Sequence, residues 1–152
     1  MNTSFRLAPW ADVLYAMDKD WWGRHRAEVL QSFQGRCLAR WHALGAEVQS
    51  VGAGLSRRLA QNSGAAAIEL AAHWGATRIV LLGYDCQRTH GLAHWHGDHP
   101  KGLGNAGSLG KWPAMFRTVA RALQGRVDVV NATRQTALRD WPCQPLEEAL
   151  AT

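Results

Sequence analysis

"TRIVLLGYD", residues 77–85, sets Ile79, Val80, Leu81 and Leu82 side by side with no polar interruption. A short unbroken apolar run of this kind fits a strand buried on both faces, as in a parallel sheet covered by helices. Just upstream, "NSGAAAIELAAHWGA" (62–76) has the residues of a helix. Asn62 or Ser63 can cap its start, the alanines favour helical backbone, and Gly75 can end it.

Working outward, "ADVLYAMD" (11–18) reads as a short buried strand ending in an acid. "KDWWGRHRAEVLQSF" (19–33) reads as a helix that Gly35 stops. "RCLARW" (36–41) and "EVQSVG" (47–52) read as strands divided by a turn around Gly45. Downstream, a glycine-rich loop over 86–110 exceeds the length of ordinary connections, which points to a lid or binding loop. "KWPAMFRTVARALQG" (111–125) is an amphipathic helix in which Met115, Val119 and Leu123 recur every four residues beside Phe116 and Ala120. "VDVVNAT" (127–133) is a last apolar strand, and the tail "QPLEEALAT" from 144 is expected to form a short helix or to fray. There is no repeat, low-complexity tract or linker. Strands alternating with helices imply one α/β domain over residues 1–152, with a mainly parallel sheet.

The bulk numbers agree with a globular domain. The 152 residues are 47% hydrophobic and 19% charged, with mean hydropathy −0.25. No apolar run approaches the roughly 18 residues of a membrane span, and the N-terminus lacks a signal-peptide pattern. A cytoplasmic location is expected, and a non-membrane protein. Cys37, Cys86 and Cys143 form neither a C-x-x-C pair nor a disulfide framework, so reduced thiols are expected. The formal charge of +5 comes from scattered basic residues with only short clusters such as Arg57-Arg58. Scattering of this kind describes a solvated basic surface or a site for an anionic small molecule better than a nucleic-acid face.

In open parallel sheets, ligands bind outside the carboxyl ends of the strands. The residues there are Asp18, segment 52–64, Asp85 with the loop beyond it, and Asn131 with Thr133. Two readings stand for "QNSG". Free amides at a helix N-terminus, with the Ser63 hydroxyl and Gly64, form an anion or ribose site, or Asn62 and Ser63 simply cap the helix. Asp85 can hold ribose hydroxyls, act on a substrate hydroxyl, or form a turn.

"THGLAHWHGDHPKG" (89–102) holds four of the seven histidines. His94, His96, Asp98 and His99 spell H-x-H-x-D-H, the zinc-ligand spacing of metallo-β-lactamase-like hydrolases. That ligand set needs a later histidine, and none follows His99. The alternative to zinc is a metal-free loop histidine acting as general base, since imidazole titrates near neutrality. His96 and His99 are the residues chosen for that role, with Asp85 as a third catalytic candidate.

The segment "NSGAAAIELAAHWGATRIVLLGYD" resembles the central part of the bacterial sialyltransferases of the Campylobacter type. In those enzymes a helix opened by Ser-Gly leads into a strand ending Gly-x-Asp. Over nearly the whole chain, the landmarks "ADVLYAMDKDWW", "NSG", "LLGYD", "HWHGDHP" and "VVNAT" also resemble phage-encoded Rossmann-like proteins described as morphogenetic. The resemblance implies a Rossmann-like three-layer fold, and a nucleotide or nucleotide-sugar around Asn2, Ser63, Gly64 and Asp85, to which the reading of the strand ends adds Asn62 and Asn131 as candidate binding residues. It implies metal-independent glycosyl transfer, with a histidine of the 94–99 loop as base and no required cofactor. Met1-Asn2 falls where the family's second strand ends, so the usual first strand with its phosphate loop is expected to be missing. The family's lid tyrosines have no match, since Tyr15 and Tyr84 are the only two here. Phage proteins as partners, and self-association of a non-catalytic assembly protein, form the remaining expectation.

Overall fold

A computed structural model describes residues 2–41, 43–92, 94–103 and 106–151, leaving aside the side chain of Ala106. Of the loop expected over 86–110, Ala93, Gly104 and Asn105 lie outside the described residues, as does Met1 of the Met1-Asn2 start. The protein is α/β, and every strand pairing is parallel. The chain divides into two compact units, residues 1–67 and 68–152.

In the first unit a 3-10 helix, Asn2–Arg6, precedes β1 (Val13–Ala16), α1 (Lys19–Ser32), β2 (Arg36–Ala39) and β3 (Val48–Ser50). A short helix α2 (Ala53–Ser56) follows, and then the start of α3 (Ser63–His73). The strands form one sheet in the order β1-β2-β3, with Leu14 opposite Cys37 and Cys37 opposite Val48. Leu14, Tyr15, Ala16, Leu38 and Ala39 are buried, as is the Trp21-Trp22 pair of α1. The Trp22 indole N–H donates to the Ala16 carbonyl at 2.9 Å, so the tryptophan fills apolar space without stranding its polar atom.

Gly35 has a different task from the one its position suggests. The helix already ends at Ser32, with Phe33 as its C-cap. A Cβ on Gly35 would meet Asp12 O at 2.5 Å, and Ala11 O closer still. The residue is glycine because the backbone entering β2 passes against the backbone entering β1. The Arg36 N–H donates to Asp12 O at 2.8 Å across that same contact.

The second unit contains most of α3, then β4 (Arg78–Leu81), a 3-10 helix over Ala106–Lys111, α4 (Trp112–Leu123), β5 (Asp128–Asn131) and α5 (Leu146–Leu150). β4 and β5 pair in parallel, Ile79 opposite Val129 and Leu81 opposite Asn131. The expected single sheet is therefore two sheets, of three and two strands. The expectation that "TRIVLLGYD" is buried on both faces also needs correcting. Leu81 is buried, but Ile79 and Val80 are half-buried and Leu82 is exposed. A two-stranded sheet leaves much of its surface at an edge, whereas an unbroken apolar run predicts a central strand. The stripe of α4 is Phe116, Val119 and Leu123, all buried, with Met115 at its margin. Among the described residues, no helix is long and apolar enough to cross a membrane.

Candidate functional site

The carboxyl ends of β4 and β5 open onto a cavity of about 860 Å³. Leu82, Gly83 and Asp85 line it after β4, and Ala132, Thr133, Arg134 and Gln135 after β5. Thr89, His90 and the 143–147 segment complete the wall. This is the edge that the strand order designates for a ligand.

A hydrogen-bond network fixes that edge. The Tyr84 N–H donates to Thr133 Oγ1 at 2.9 Å, and the Thr136 hydroxyl donates to Tyr84 O at 2.7 Å. The Ala137 N–H donates to Asp85 O at 2.8 Å. Asn131 is completely buried. Its Nδ2 donates to Thr136 Oγ1 and Leu138 O, both at 3.3 Å, while its Oδ1 accepts from the Thr133 N–H at 3.1 Å. The side chain expected to touch a nucleotide thus has its polar atoms engaged in shaping the loop after β5. Its backbone also pairs with the 142–144 segment, accepting from Gln144 N–H and donating to Pro142 O, and so holds one wall of the cavity.

The wall beyond β4 is set by a tight hairpin. Thr89 and Leu92 exchange both backbone hydrogen bonds at 3.0 Å. His90 and Gly91 between them both have positive φ, 52° and 80°. A two-residue turn with this geometry matches strand twist, and glycine at the second position carries it without Cβ strain. The Thr89 hydroxyl donates to Asp85 Oδ2 at 3.1 Å, so the hairpin orients the Asp85 carboxylate. Cys86, at φ 50°, lies beside two carboxylates. Burial first, then the charges of Asp85 and Asp140, push its thiol up to about 11, so it stays protonated at neutral pH. Burial likewise raises the Tyr84 hydroxyl above its ordinary range. Its ring packs edge-on against Phe116 at 5.9 Å.

The histidines divide between two places. His90 lines the cavity. His94, His96 and His99 stand together further along the loop, their ligand nitrogens all within 4.8 Å of one another. The rings of His94 and His96 are stacked, 5.3 Å apart and 6° from parallel, and His99 tilts against both at 4.8 and 4.7 Å. The Gly97 N–H donates to His94 O at 3.1 Å, and Gly97 has φ 80°. That turn reverses the chain between the second and third imidazoles. Asp98 is exposed and outside the group of three.

In the first unit, Asn62 caps α3. Its Oδ1 accepts from the Gly64 and Ala65 N–H groups at 2.8 and 3.1 Å. Two of the amides that an anion near Ser63 and Gly64 would use are therefore occupied, which favours the capping reading of "QNSG". Asn2 opens the first 3-10 helix at φ 43°, and its buried Oδ1 accepts no hydrogen bond from the described residues. Asp18, at the end of β1, is the N-cap position of α1 but makes no side-chain cap bond. Desolvation, reinforced by Asp20 and opposed by Arg40, raises its pKa above the usual carboxylate range.

Two arginines were not singled out by motif. Arg40, immediately after β2, is 1% exposed and donates to three backbone carbonyls: Ala60 at 2.7 Å, Ser56 at 2.8 Å and Leu59 at 2.6 Å. It shapes the segment leading into Asn62. Arg134, three residues past β5, lines the cavity and has no ion-pair partner among the described residues. Their sequence signal is position alone, since a cation just beyond a strand end lies at the edge where open parallel sheets bind ligands.

Comparison of the chain with family models, curated proteins and solved structures finds no match.

Proposed function

We propose that the chain binds a nucleotide or nucleotide-sugar in the cavity at the carboxyl ends of β4 and β5. The observation that carries this reading is the lining of that cavity. It joins the guanidinium of Arg134, which has no ion-pair partner among the described residues, to the carboxylates of Asp85 and Glu147 and the hydroxyls of Thr89 and Thr133. Arg134 holds phosphate oxygens, where a planar fork of donors is most effective. Asp85, oriented by Thr89, accepts hydrogen bonds from ribose or sugar hydroxyls. The volume of about 860 Å³ is within the range that ligand sites of drug-like size occupy, about 300–1,000 Å³.

The Rossmann-like reading rests on the parallel order of the strands and on this placement at their ends. A glycosyltransferase of the kind the sialyltransferase resemblance implies then has Asp85 and His90 nearest the bound donor. His90 takes the place of His96 and His99 as the histidine able to accept an acceptor proton, because it alone of the loop histidines lines the cavity.

Isothermal titration with CMP, CDP, UDP and ADP tests the reading. One of them binds with a Kd below about 1 mM, and R134A weakens it by at least about tenfold, the loss expected for a charged hydrogen bond. Absence of binding by all four, or affinity unchanged in R134A and D85N, overturns it.

A further inference from the structure

We propose that His94, His96 and His99 form a binding site for one divalent transition-metal ion of the zinc class, held by three neutral imidazoles with a further position left to water. This site is separate from the nucleotide reading and does not rest on it.

Convergence is the first ground. Three imidazoles within six residues of sequence need not meet, because an extended chain would send them apart. Here the turn at Gly97 gathers them, and their ligand nitrogens lie within 4.8 Å of one another. Around a tetrahedral zinc with bonds of about 2.0–2.1 Å, neighbouring nitrogens stand about 3.3 Å apart. The nitrogens need to close by about 1.5 Å at most to reach that spacing, a movement that side-chain rotation supplies.

The second ground is a stranded polar atom. His94 Nε2 is buried and makes no hydrogen bond with the described residues. An imidazole nitrogen out of water and without a partner is costly, and metal coordination satisfies it.

The donor set decides the class of ion. All three ligands are neutral nitrogen donors and Asp98 is outside the group. Imidazole suits zinc, copper and nickel, while magnesium and calcium require oxygen donors, carboxylates above all. Three protein ligands leave a coordination position open, the arrangement found in catalytic rather than structural zinc sites. The site therefore differs from the four-residue H-x-H-x-D-H set by excluding its carboxylate.

The test uses the full chain without a histidine tag, stripped of metal with a chelator. Titration with zinc gives one equivalent bound, cobalt gives the visible absorption of a nitrogen-ligated ion, and magnesium and calcium give neither. H96A and H99A each weaken zinc by at least about tenfold, whereas D98N and the remote H73A leave it unchanged. Circular dichroism verifies that each variant is folded. X-ray absorption on the zinc-loaded wild type needs no variant and shows imidazole scattering from three histidines with no sulfur. No zinc uptake, undiminished uptake in the double variant H96A/H99A, sulfur among the ligands, or a tenfold loss in D98N each overturns the assignment.

Discussion

Replacing Arg40 by methionine removes five donors while keeping most of the side-chain volume. Arg40 is 1% exposed, and its guanidinium serves Ser56 O, Leu59 O and Ala60 O at 2.6–2.8 Å. In R40M those three carbonyls lose their donor. An unsatisfied buried polar group costs about 1–3 kcal/mol. Ser56 is itself buried, whereas Ala60 is half-buried and can recruit water. The expected loss is therefore about 3–5 kcal/mol, well below the sum of three maximal penalties. At about 2–4 °C per kcal/mol for a protein of this size, the midpoint of thermal unfolding falls by roughly 6–20 °C. Denaturant titrations followed by tryptophan fluorescence measure the difference directly, since Trp21 and Trp22 are buried in the same unit. R58M, at an exposed position nearby, is the control and stays within about 0.5 kcal/mol of wild type. A loss below about 1 kcal/mol in R40M would refute the view that this arginine holds the segment between α2 and α3.

Two further outcomes follow from the same unit. G35A destabilises by about 3 kcal/mol, because the new methyl meets the backbone oxygens of Ala11 and Asp12 rather than a side chain that can move away. G54A, where a Cβ meets nothing within 4 Å, is neutral or slightly stabilising, and equal losses in the two variants would discard the close-approach explanation. E28Q tests the bidentate pair in which Arg6 donates to Glu28 at 2.6 and 2.7 Å. The hydrogen bond from Arg6 is the main cause of a lowered Glu28 pKa; burial opposes it, and the charge of Arg6 and then His25 add to the lowering. A carboxylate whose folded pKa is depressed adds stability above its unfolded value of about 4.5 and loses it as pH falls through the folded value. Both side chains are 43% exposed, so the solvent-screened difference at pH 7 is at most about 1 kcal/mol. It vanishes in acid, and stability curves that stay parallel from pH 7 to pH 2 would contradict the assignment.

Much of the local structure was legible without coordinates, because it depends on neighbours in the chain. Asn62 before an alanine-rich stretch announces its helix start, and the cap forms as that spacing predicts. The spacing of Phe116, Val119 and Leu123 marks the buried face of α4. The α/β class and the parallel pairing of the strands follow from the order of elements.

What the chain could not disclose on its own is which distant groups meet. Gly35 looks like a helix stop until the backbone before β1 is seen against it. Asn131 looks like a ligand contact until its amide is found bonded to Thr136 and Leu138. The H-x-H-x-D-H spacing offers four metal ligands, and the turn at Gly97 gathers three of them while Asp98 stays outside. Local pattern determined the elements and their caps, since propensity and periodicity act over a few residues. Tertiary structure alone decided the partners of Arg40, Asn131 and the three histidines, since hydrogen bonds and ring contacts depend on distances in space that sequence separation does not set.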